Sequence, residues 1–484
     1  MKVDPPAGQI APVSATAGVV NLSWSATPTN PGTHTLTYLV LRRVSGVDPY
    51  VQVASTPSTQ TTYSDTPPAD GLYDYKIQAK VAGGGVGFFT SGDSTVQTGR
   101  SDRTAPTMSV QCNAAACSAG WYTAAVTVLV SGTDAGVGMT SVSRRVDGGG
   151  WTTVGGASTS FSVSGDSAGH TVDYYGTDAV TNVSGTTTQT VKIDGTVPTK
   201  SIQCNASACL AAWYTAAVSV TVSGTDATSG MSTVTRNVDG GGNTTTAGAS
   251  ATFTVSGDNA GHTVAYYTTD VAGNSAASAT QTIQIDGTAP TKSILCGGVA
   301  CIAGWYTAAV SVTVSGTDAT SGMSTVTRNV DAGGNTTTAG ASATFTVSGD
   351  NAGHTVAYYT TDVAGNSAAS ATQTIKIDGT APTAVTGLSS VTGTVAGTVN
   401  LTWTAGTDAT SGVAGYTLRR SGVVGACPAT TVANYPTTYA VPVGTTYTAG
   451  GMVSGSKYCF YMVTNDNAGN VSVNSAAVGP TKAK

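Results

Sequence analysis

Aspartate is the residue type with the clearest chemical potential in this chain. All 25 acidic residues are Asp, and many of them recur at fixed positions. One set lies in D-x-A-G-N turns and another in the junction motif D-G-T-x-P. Carboxylate, amide and carbonyl oxygens are the ligands that Ca²⁺ takes in proteins. Structural calcium is therefore one hypothesis for this chain, which otherwise requires no cofactor, and it has nine candidate ligands: Asp194, Asp270, Asn274, Asp286, Asp362, Asn366, Asp378, Asp466 and Asn470. The sequence favours the alternative of turns without a metal.

These turns also have a simpler interpretation. An Asp at the start of a turn often bonds its own backbone and forms an Asx-turn, with no metal involved. The first copy of the motif, TDAVTN, keeps Asp178 and Asn182 but lacks the Gly before the Asn. A calcium site at the first junction is therefore less well supported than at the others.

The eight cysteines fall into four pairs of matching spacing. The pairs are Cys112 with Cys117, Cys204 with Cys209, Cys296 with Cys301, and Cys427 with Cys459. A C-x4-C spacing also suits half of a zinc site, but each repeat lacks the second pair of ligands that zinc needs. Disulfides are favoured, and they indicate an oxidising, extracellular compartment.

Catalysis has little support in the sequence. The chain has four histidines, and three of them, His170, His262 and His354, are equivalent positions of one repeat. They fit residues that flank a turn and begin a strand. Paired carboxylates for glycoside chemistry would both have to be Asp in turns. We expect a protein that is not an enzyme.

Trp151 is a candidate ligand-binding residue. It is the tryptophan whose repeat counterparts are not aromatic, because Asn243 and Asn335 stand at the equivalent positions. An exposed indole can form a platform for carbohydrate. The alternative is that Trp151 covers the apolar edge of a hairpin.

The elements that carry these residues are strands. Only 9% of the 484 residues are charged, 61 are Gly, and Ser and Thr are abundant. Thr and Val favour strands and Asp and Gly favour turns, whereas Glu, Lys and Leu, which fill helices, are scarce or absent. The net charge of -5 and the lack of a basic run argue against nucleic acid and anionic lipid as partners. No apolar run is long enough to cross a bilayer.

The strands are organised in a repeat of 92 residues. WYTAA begins at Trp121, Trp213 and Trp305, and from Trp213 to Ile283 the second copy differs from the third only at Gly240, which is Ala332 there. Val alternation with turns about every ten residues predicts roughly seven short strands per repeat, which is typical of an immunoglobulin-like sandwich. The proline after each junction Asp predicts stiff joints.

Two families resemble parts of this chain. GWYTAAVTVLVSGTDAGVGM, GHTVDYYGTDAVTN and KIDGTVPT resemble bacterial immunoglobulin-like repeats over about 103–380. The ends resemble fibronectin type III domains through VNLSWSA with TYLVLRR and VNLTWTA with GYTLRR. That resemblance implies core tryptophans at Trp24 and Trp403 and a tyrosine corner at Tyr73 and Tyr458. In some bacterial adhesins similar immunoglobulin-like domains bind calcium at their joints, so the resemblance implies the same here.

The predicted fold is all-β, with five tandem immunoglobulin-like or fibronectin type III-like β-sandwich domains in an elongated array. Fibronectin type III-like domains flank three immunoglobulin-like repeats, termed repeats 1, 2 and 3. The predicted ranges, in chain order, are 1–102, 103–194 (repeat 1), 195–286 (repeat 2), 287–378 (repeat 3) and 379–484. Such an array would span on the order of 150 to 200 Å.

Three functions follow from this organisation. The leading expectation is a non-catalytic, extracellular structural or adhesive stalk that extends or presents a partner region at a bacterial cell surface. The first alternative is a region of a secreted enzyme that binds a surface polysaccharide or a protein. The second is a subunit that self-associates into a filament or surface layer through its sheet edges.

Overall fold

The computed structural model describes residues 4–6, 18–27, 34–47, 49–83 and 87–484. Every regular element in these ranges is a β-strand, so the predicted all-β class is confirmed. None of the described residues belongs to a helix that could span a membrane. The beginning of the first predicted domain lies partly outside the described residues.

The N-terminal part forms two facing sheets. Strands β1 and β4 make the smaller one, and the larger has the order β3-β2-β5-β6, with β7 also pairing β5. The strands are β1 (Val20–Ser23), β2 (Thr35–Val44), β3 (Val51–Pro57), β4 (Thr62–Asp65), β5 (Gly71–Ala82), β6 (Phe88–Thr90) and β7 (Gln97–Ser101). Trp24 is buried, and the Tyr73 hydroxyl donates to the carbonyl of Ala69 at 3.0 Å, as a tyrosine corner does.

Repeat 1 also contains two sheets. Their strand orders are β13-β10-β8 and β12-β11-β14-β15-β9. The strands are β8 (Thr107–Cys112), β9 (Trp121–Tyr122), β10 (Val126–Thr133), β11 (Met139–Val146), β12 (Thr152–Gly155), β13 (Ser158–Val163), β14 (Ser167–Asp178) and β15 (Thr187–Ile193).

Repeats 2 and 3 reproduce this pairing. In repeat 2 the orders are β16-β17-β20 and β19-β18-β21-β22, and in repeat 3 they are β23-β25-β28 and β24-β30-β29-β26-β27. The strands of repeat 2 are β16 (Ser201–Cys204), β17 (Val218–Ser223), β18 (Met231–Val238), β19 (Thr244–Ala247), β20 (Ser250–Val255), β21 (Asn259–Asp270) and β22 (Ala279–Ile285). Those of repeat 3 are β23 (Ser293–Cys296), β24 (Trp305–Tyr306), β25 (Val310–Ser315), β26 (Met323–Val330), β27 (Asn335–Ala339), β28 (Ser342–Val347), β29 (Asn351–Asp362) and β30 (Ala371–Ile377).

The C-terminal part has the orders β31-β32-β35 and β34-β33-β36-β37. Its strands are β31 (Thr386–Thr392), β32 (Val399–Thr404), β33 (Val413–Arg420), β34 (Thr437–Val441), β35 (Thr446–Ala449), β36 (Lys457–Asp466) and β37 (Val478–Lys482). Trp403 is buried, and the hydroxyl of Tyr458 accepts a hydrogen bond from the amide of Val453 at 3.1 Å.

Alternation of side chains explains where the cores lie. In β17, Val218, Val220 and Val222 are fully buried, while the intervening Ser219 and Thr221 face outward. Burying one Val side chain contributes roughly 1.5 to 3 kcal/mol. Each cluster of buried apolar residues keeps within one of the five predicted ranges. The domain boundaries themselves stay a prediction.

All four predicted cysteine pairs form disulfides in the structure. In each repeat the C-x4-C loop is held a second time by the tyrosine of the WY pair. The Tyr214 hydroxyl accepts a hydrogen bond from the amide of Leu210 at 2.8 Å, and Tyr122 and Tyr306 repeat this contact. The four disulfides indicate an oxidising environment.

Candidate metal centres at the predicted joints

Each predicted joint collects three aspartates from three different segments. The first is the junction Asp that follows the last strand of the preceding unit. The second lies in the loop that follows β10, β17, β25 or β32, and the third is the last residue of the long strand of the same unit. The four groups are Asp102 with Asp134 and Asp178, Asp194 with Asp226 and Asp270, Asp286 with Asp318 and Asp362, and Asp378 with Asp408 and Asp466.

The separations within these groups suit a calcium ion. Each residue contributes one carboxylate oxygen, and the three oxygens lie within 4.8 Å of one another. Two oxygens bound to one Ca²⁺ at 2.3–2.6 Å can be at most about 5.2 Å apart. The three carboxylates can therefore share one ion without rearrangement of the backbone.

Backbone amides fix the carboxylates between repeats 1 and 2. Asp270 Oδ1 accepts from the amides of Gly273 at 2.7 Å and Asn274 at 2.8 Å. Asp226 Oδ1 accepts from the amide of Gly230 at 2.8 Å, and other amides of the same loop. The predicted Asx-turn geometry is thus present, and it orients the carboxylates that form the group. The turn and the metal-site interpretations are compatible.

The junction Asp connects the two units directly. Asp194 Oδ2 accepts from the amide of Ser229 in repeat 2 at 3.0 Å, and its Oδ1 accepts from the amide of Thr196 at 3.2 Å. The linker then contacts repeat 2 again, because a Cβ added at Gly224 would lie 2.5 Å from the carbonyl oxygen of Thr199. Only glycine permits this close approach.

The turn asparagines contact both the junction and the turn aspartate. The amide nitrogen of Asn274 donates to the carbonyl of Asp194 at 2.8 Å and to Asp270 Oδ2 at 2.9 Å. Asn366 and Asn470 make the same pair of contacts. In this arrangement the asparagine forms a hydrogen-bonded bridge between the junction and the turn. Its side-chain nitrogen, rather than its oxygen, contacts the carboxylate.

The first joint conforms to the pattern in spite of its different sequence. Asn182 donates to the carbonyl of Asp102 at 3.1 Å and to Asp178 Oδ2 at 2.7 Å. Thr181, which replaces the glycine, adopts a φ of 70°. The loss of Gly therefore does not remove the turn. Here Asp134 Oδ2 is buried and has no hydrogen-bond partner within the described part of the chain.

Sequence reasoning missed one carboxylate in each of the last three groups, and in the first group it missed Asp102 as well as Asp134. Asp134, Asp226 and Asp318 follow the 92-residue period, and Asp408 lies in the same motif, since GTDATSG is identical at 224–230, 316–322 and 406–412. The motif lies in a turn between two strands of each unit. Its recurrence in the C-terminal part, outside the repeats, was the signal that could have revealed it.

Each of these groups brings three carboxylates close together. The junction and long-strand aspartates are at most 3% exposed, and none of the ion pairs among the described residues involves any of the twelve carboxylates. Two like charges 4 Å apart repel by roughly 4 kcal/mol at an effective dielectric constant of 20. A divalent cation would remove this repulsion.

A second set of aspartates holds the linker from the preceding unit. Asp166 of repeat 1 accepts from the amide of Gly195 at 2.8 Å and from the hydroxyl of Thr196 at 2.5 Å. These two hydrogen bonds lower the pKa of Asp166. Asp258 and Asp350 make the equivalent contacts at the next two joints. Each of these linkers is therefore bonded to the units on both sides.

Comparison with known proteins adds only likenesses in fold. No family model matches the sequence, and no curated protein matches it. A set of consecutive titin domains covers 59% of this chain and 99% of its own length, at 16% identity and a TM-score of 0.31. A fibronectin type III-like protein from Clostridium thermocellum covers 22% of this chain and 96% of its own length, at 30% identity and a TM-score of 0.17.

The chain is built from immunoglobulin-like and fibronectin type III-like sandwiches. This assignment rests on the strand orders and buried cores described above. Sandwiches of this class are typical of modular structural regions.

The histidines predicted to flank turns lie next to hairpin aspartates. His262 Nδ1 is 2.7 Å from Asp239 Oδ2, and its Nε2 is 2.9 Å from the carbonyl oxygen of Gly257. His170 and His354 have equivalent partners. Both ring nitrogens are thus engaged in contacts within the fold. Trp151 is 40% exposed, as a ligand-binding residue requires.

Proposed function

We propose that the chain is a non-catalytic, extracellular stalk whose joints are stiffened by calcium and which presents a partner region at a bacterial cell surface. The observation that supports it is the recurrence of one three-carboxylate group at all four predicted joints. A device that is repeated between units and nowhere else among the described residues acts on how the units are held together. The length and the stiffness of the chain are then the properties on which its function depends.

Calcium would act in this proposal as a bridge between units. The junction carboxylate belongs to the linker, whereas the other two belong to the following sandwich, so one ion would join them. The asparagine contact to the junction carbonyl would position the linker for the ion. Disulfides inside the units and the resemblance to bacterial immunoglobulin-like repeats support a secreted location.

Small-angle X-ray scattering of the monomer, first with calcium and then with a chelator, tests this function. With calcium we expect a stiff particle of about 150 to 200 Å. Chelation should broaden the distance distribution as the joints loosen. The variant Asp226→Asn with Asp318→Asn and Asp408→Asn changes three of the four joints, so even in calcium its distance distribution should shift towards that of the chelated protein.

A matched control is Asp239→Asn with Asp331→Asn, which makes the same chemical change on hairpins outside the four groups. It should keep the calcium response of the wild type. A rod that is unchanged by chelation and by the triple variant would support the stalk but contradict the proposed role of calcium. A compact particle under both conditions would contradict the stalk itself.

A further inference from the structure

Repeat 1 differs from its two sister repeats along one row of its larger sheet. Trp151 immediately precedes β12, and its neighbours across the sheet are Arg145 on β11 and Asp173 on β14, which pair with each other. Thr188 on β15 pairs with Asp173 and completes the row. In repeat 2 the positions of Trp151, Arg145 and Asp173 are held by Asn243, Asn237 and Ala265, and repeat 3 has the same three residue types.

The three substitutions form one connected arrangement. Arg145 Nε donates to Asp173 Oδ2 at 2.8 Å, and the hydroxyl of Thr188 donates to Asp173 Oδ1 at 2.6 Å. The guanidinium carbon of Arg145 lies 4.8 Å from the centre of the Trp151 ring. Tyr175 contacts the indole in an edge-on arrangement with centroids 4.7 Å apart. The indole is therefore held in place before any ligand arrives.

Structural stability does not require this arrangement. In repeat 2 the same positions are joined by one hydrogen bond, from Asn237 to Asn243 at 3.3 Å, while the strands keep the same pairing. The neighbouring row is kept in both repeats, since Ser143 bonds Thr153 as Thr235 bonds Thr245. Among the three repeats, this row is thus a local feature of repeat 1.

We propose that Trp151, Arg145 and Asp173, with Tyr175 and Thr188, form a binding site for a neutral glycan. The C–H groups of a pyranose ring carry partial positive charge and fit the electron-rich face of an indole. Arg145 Nη1 and Nη2 have no hydrogen-bond partner in the described part of the chain, so they can donate to sugar hydroxyl oxygens. The Asp173 carboxylate can accept from a sugar hydroxyl through its remaining lone pairs.

The charge and size of the surface favour this ligand over two others. Arg145 and Asp173 neutralise each other, and the chain carries a net charge of -5, which disfavours a polyanion. A stable protein interface buries about 800 Å² per partner around several apolar anchors. The other exposed large apolar residue described in repeat 1, Val183, follows Asn182 of the first joint and does not lie on this row.

Affinity electrophoresis of the full chain through gels that contain a soluble polysaccharide tests the site. Hydroxyethylcellulose, dextran and galactomannan are the neutral probes, and polygalacturonate is the acidic one. We expect at least one neutral polymer to retard the wild type, with no change on adding a chelator. Trp151→Asn, the residue of the sister repeats, should weaken binding about tenfold, as expected for the loss of one aromatic contact.

A reciprocal variant distinguishes loss of the binding site from loss of binding through misfolding. Transfer of the row into repeat 2, by Asn237→Arg, Asn243→Trp and Ala265→Asp, should increase retardation beyond the wild type. The proposal is overturned if no neutral polymer retards the wild type, or if Trp151→Asn is retarded equally. Retardation by polygalacturonate alone would also overturn it. Because these residues belong to none of the metal groups, failure here leaves the stalk proposal intact.

Discussion

The hydrogen-bond partners of the three repeat histidines determine which nitrogens of each ring carry a proton. A carbonyl and a carboxylate oxygen can only accept hydrogen bonds, so His262 makes both of its contacts only when both ring nitrogens carry a proton. Burial of the ring lowers its pKa, but the bonds to Gly257 and Asp239 outweigh that effect and raise the pKa above 6.5. The same holds for His170 and His354.

This geometry predicts a stability that falls as the solution becomes alkaline. Because the folded pKa is raised, the contribution is complete below pH 6.5 and is lost as pH rises through the folded value. Calorimetry should therefore show a lower melting temperature of the repeats at pH 8.5 than at pH 6. Asp239→Asn with Asp331→Asn should flatten that dependence, and NMR should show lower pKa values for His262 and His354. Histidines that titrate below 6.5 in the wild type would contradict this assignment.

Sequence reasoning was successful for residues whose role is set by their own strand. Trp24 and Trp403 are buried, and Tyr73 and Tyr458 form the corner contacts. The charge state of His262 and the neighbours of Trp151 depend on which strands pair and in which register. The proximity of Asp226 to Asp194 and Asp270 depends on strand pairing in the same way, because only the fold brings these three residues together.

At the scale of elements, the disulfides close two very different loops. Cys204 and Cys209 are separated by 5 residues and close a tight hairpin, whereas Cys427 and Cys459 are separated by 32 residues and fix a long loop to the buried strand β36. Loop-closure entropy assigns about 2 kcal/mol to the short loop and about 4 kcal/mol to the long one. The alternation of Val residues predicted the strands well, but it carried no information on this difference.

The effect of one short disulfide on melting can be measured within a single chain, because repeat 3 serves as the internal standard for repeat 2. Repeats 2 and 3 are nearly identical over Trp213–Ile283 and Trp305–Ile375, so we expect them to unfold together in the wild type. Cys204→Ser with Cys209→Ser should lower the melting temperature of repeat 2 by about 10 °C and split the calorimetric transition. Cys427→Ser with Cys459→Ser should destabilise the C-terminal sandwich by more. An unsplit transition in the first variant would show that the short disulfide does not stabilise its repeat.

The whole molecule combines units whose cores are separate with joints that are alike. Apolar clusters keep within single predicted domains, while the recurring contacts between units are made by aspartates and an asparagine at equivalent positions. The 92-residue period predicted this organisation from the sequence. Composition could not predict that the linker is bonded on both sides, because its partners Asp166 and Ser229 lie far from it in the chain.

Interchangeable joints predict that a unit can be removed without harm to its neighbours. Deletion of residues 195–286 places Asp194 directly before Gly287 and restores the motif DGTAPT, so the junction contacts of Asp194 can form with repeat 3. The longest strands of a repeat contain 12 residues, which corresponds to about 40 Å. Scattering should therefore show a particle about 40 Å shorter, and calorimetry should show unchanged melting of the remaining units. A particle that shortens by much less, or neighbours that lose stability, would mean that the units depend on contacts beyond the joints.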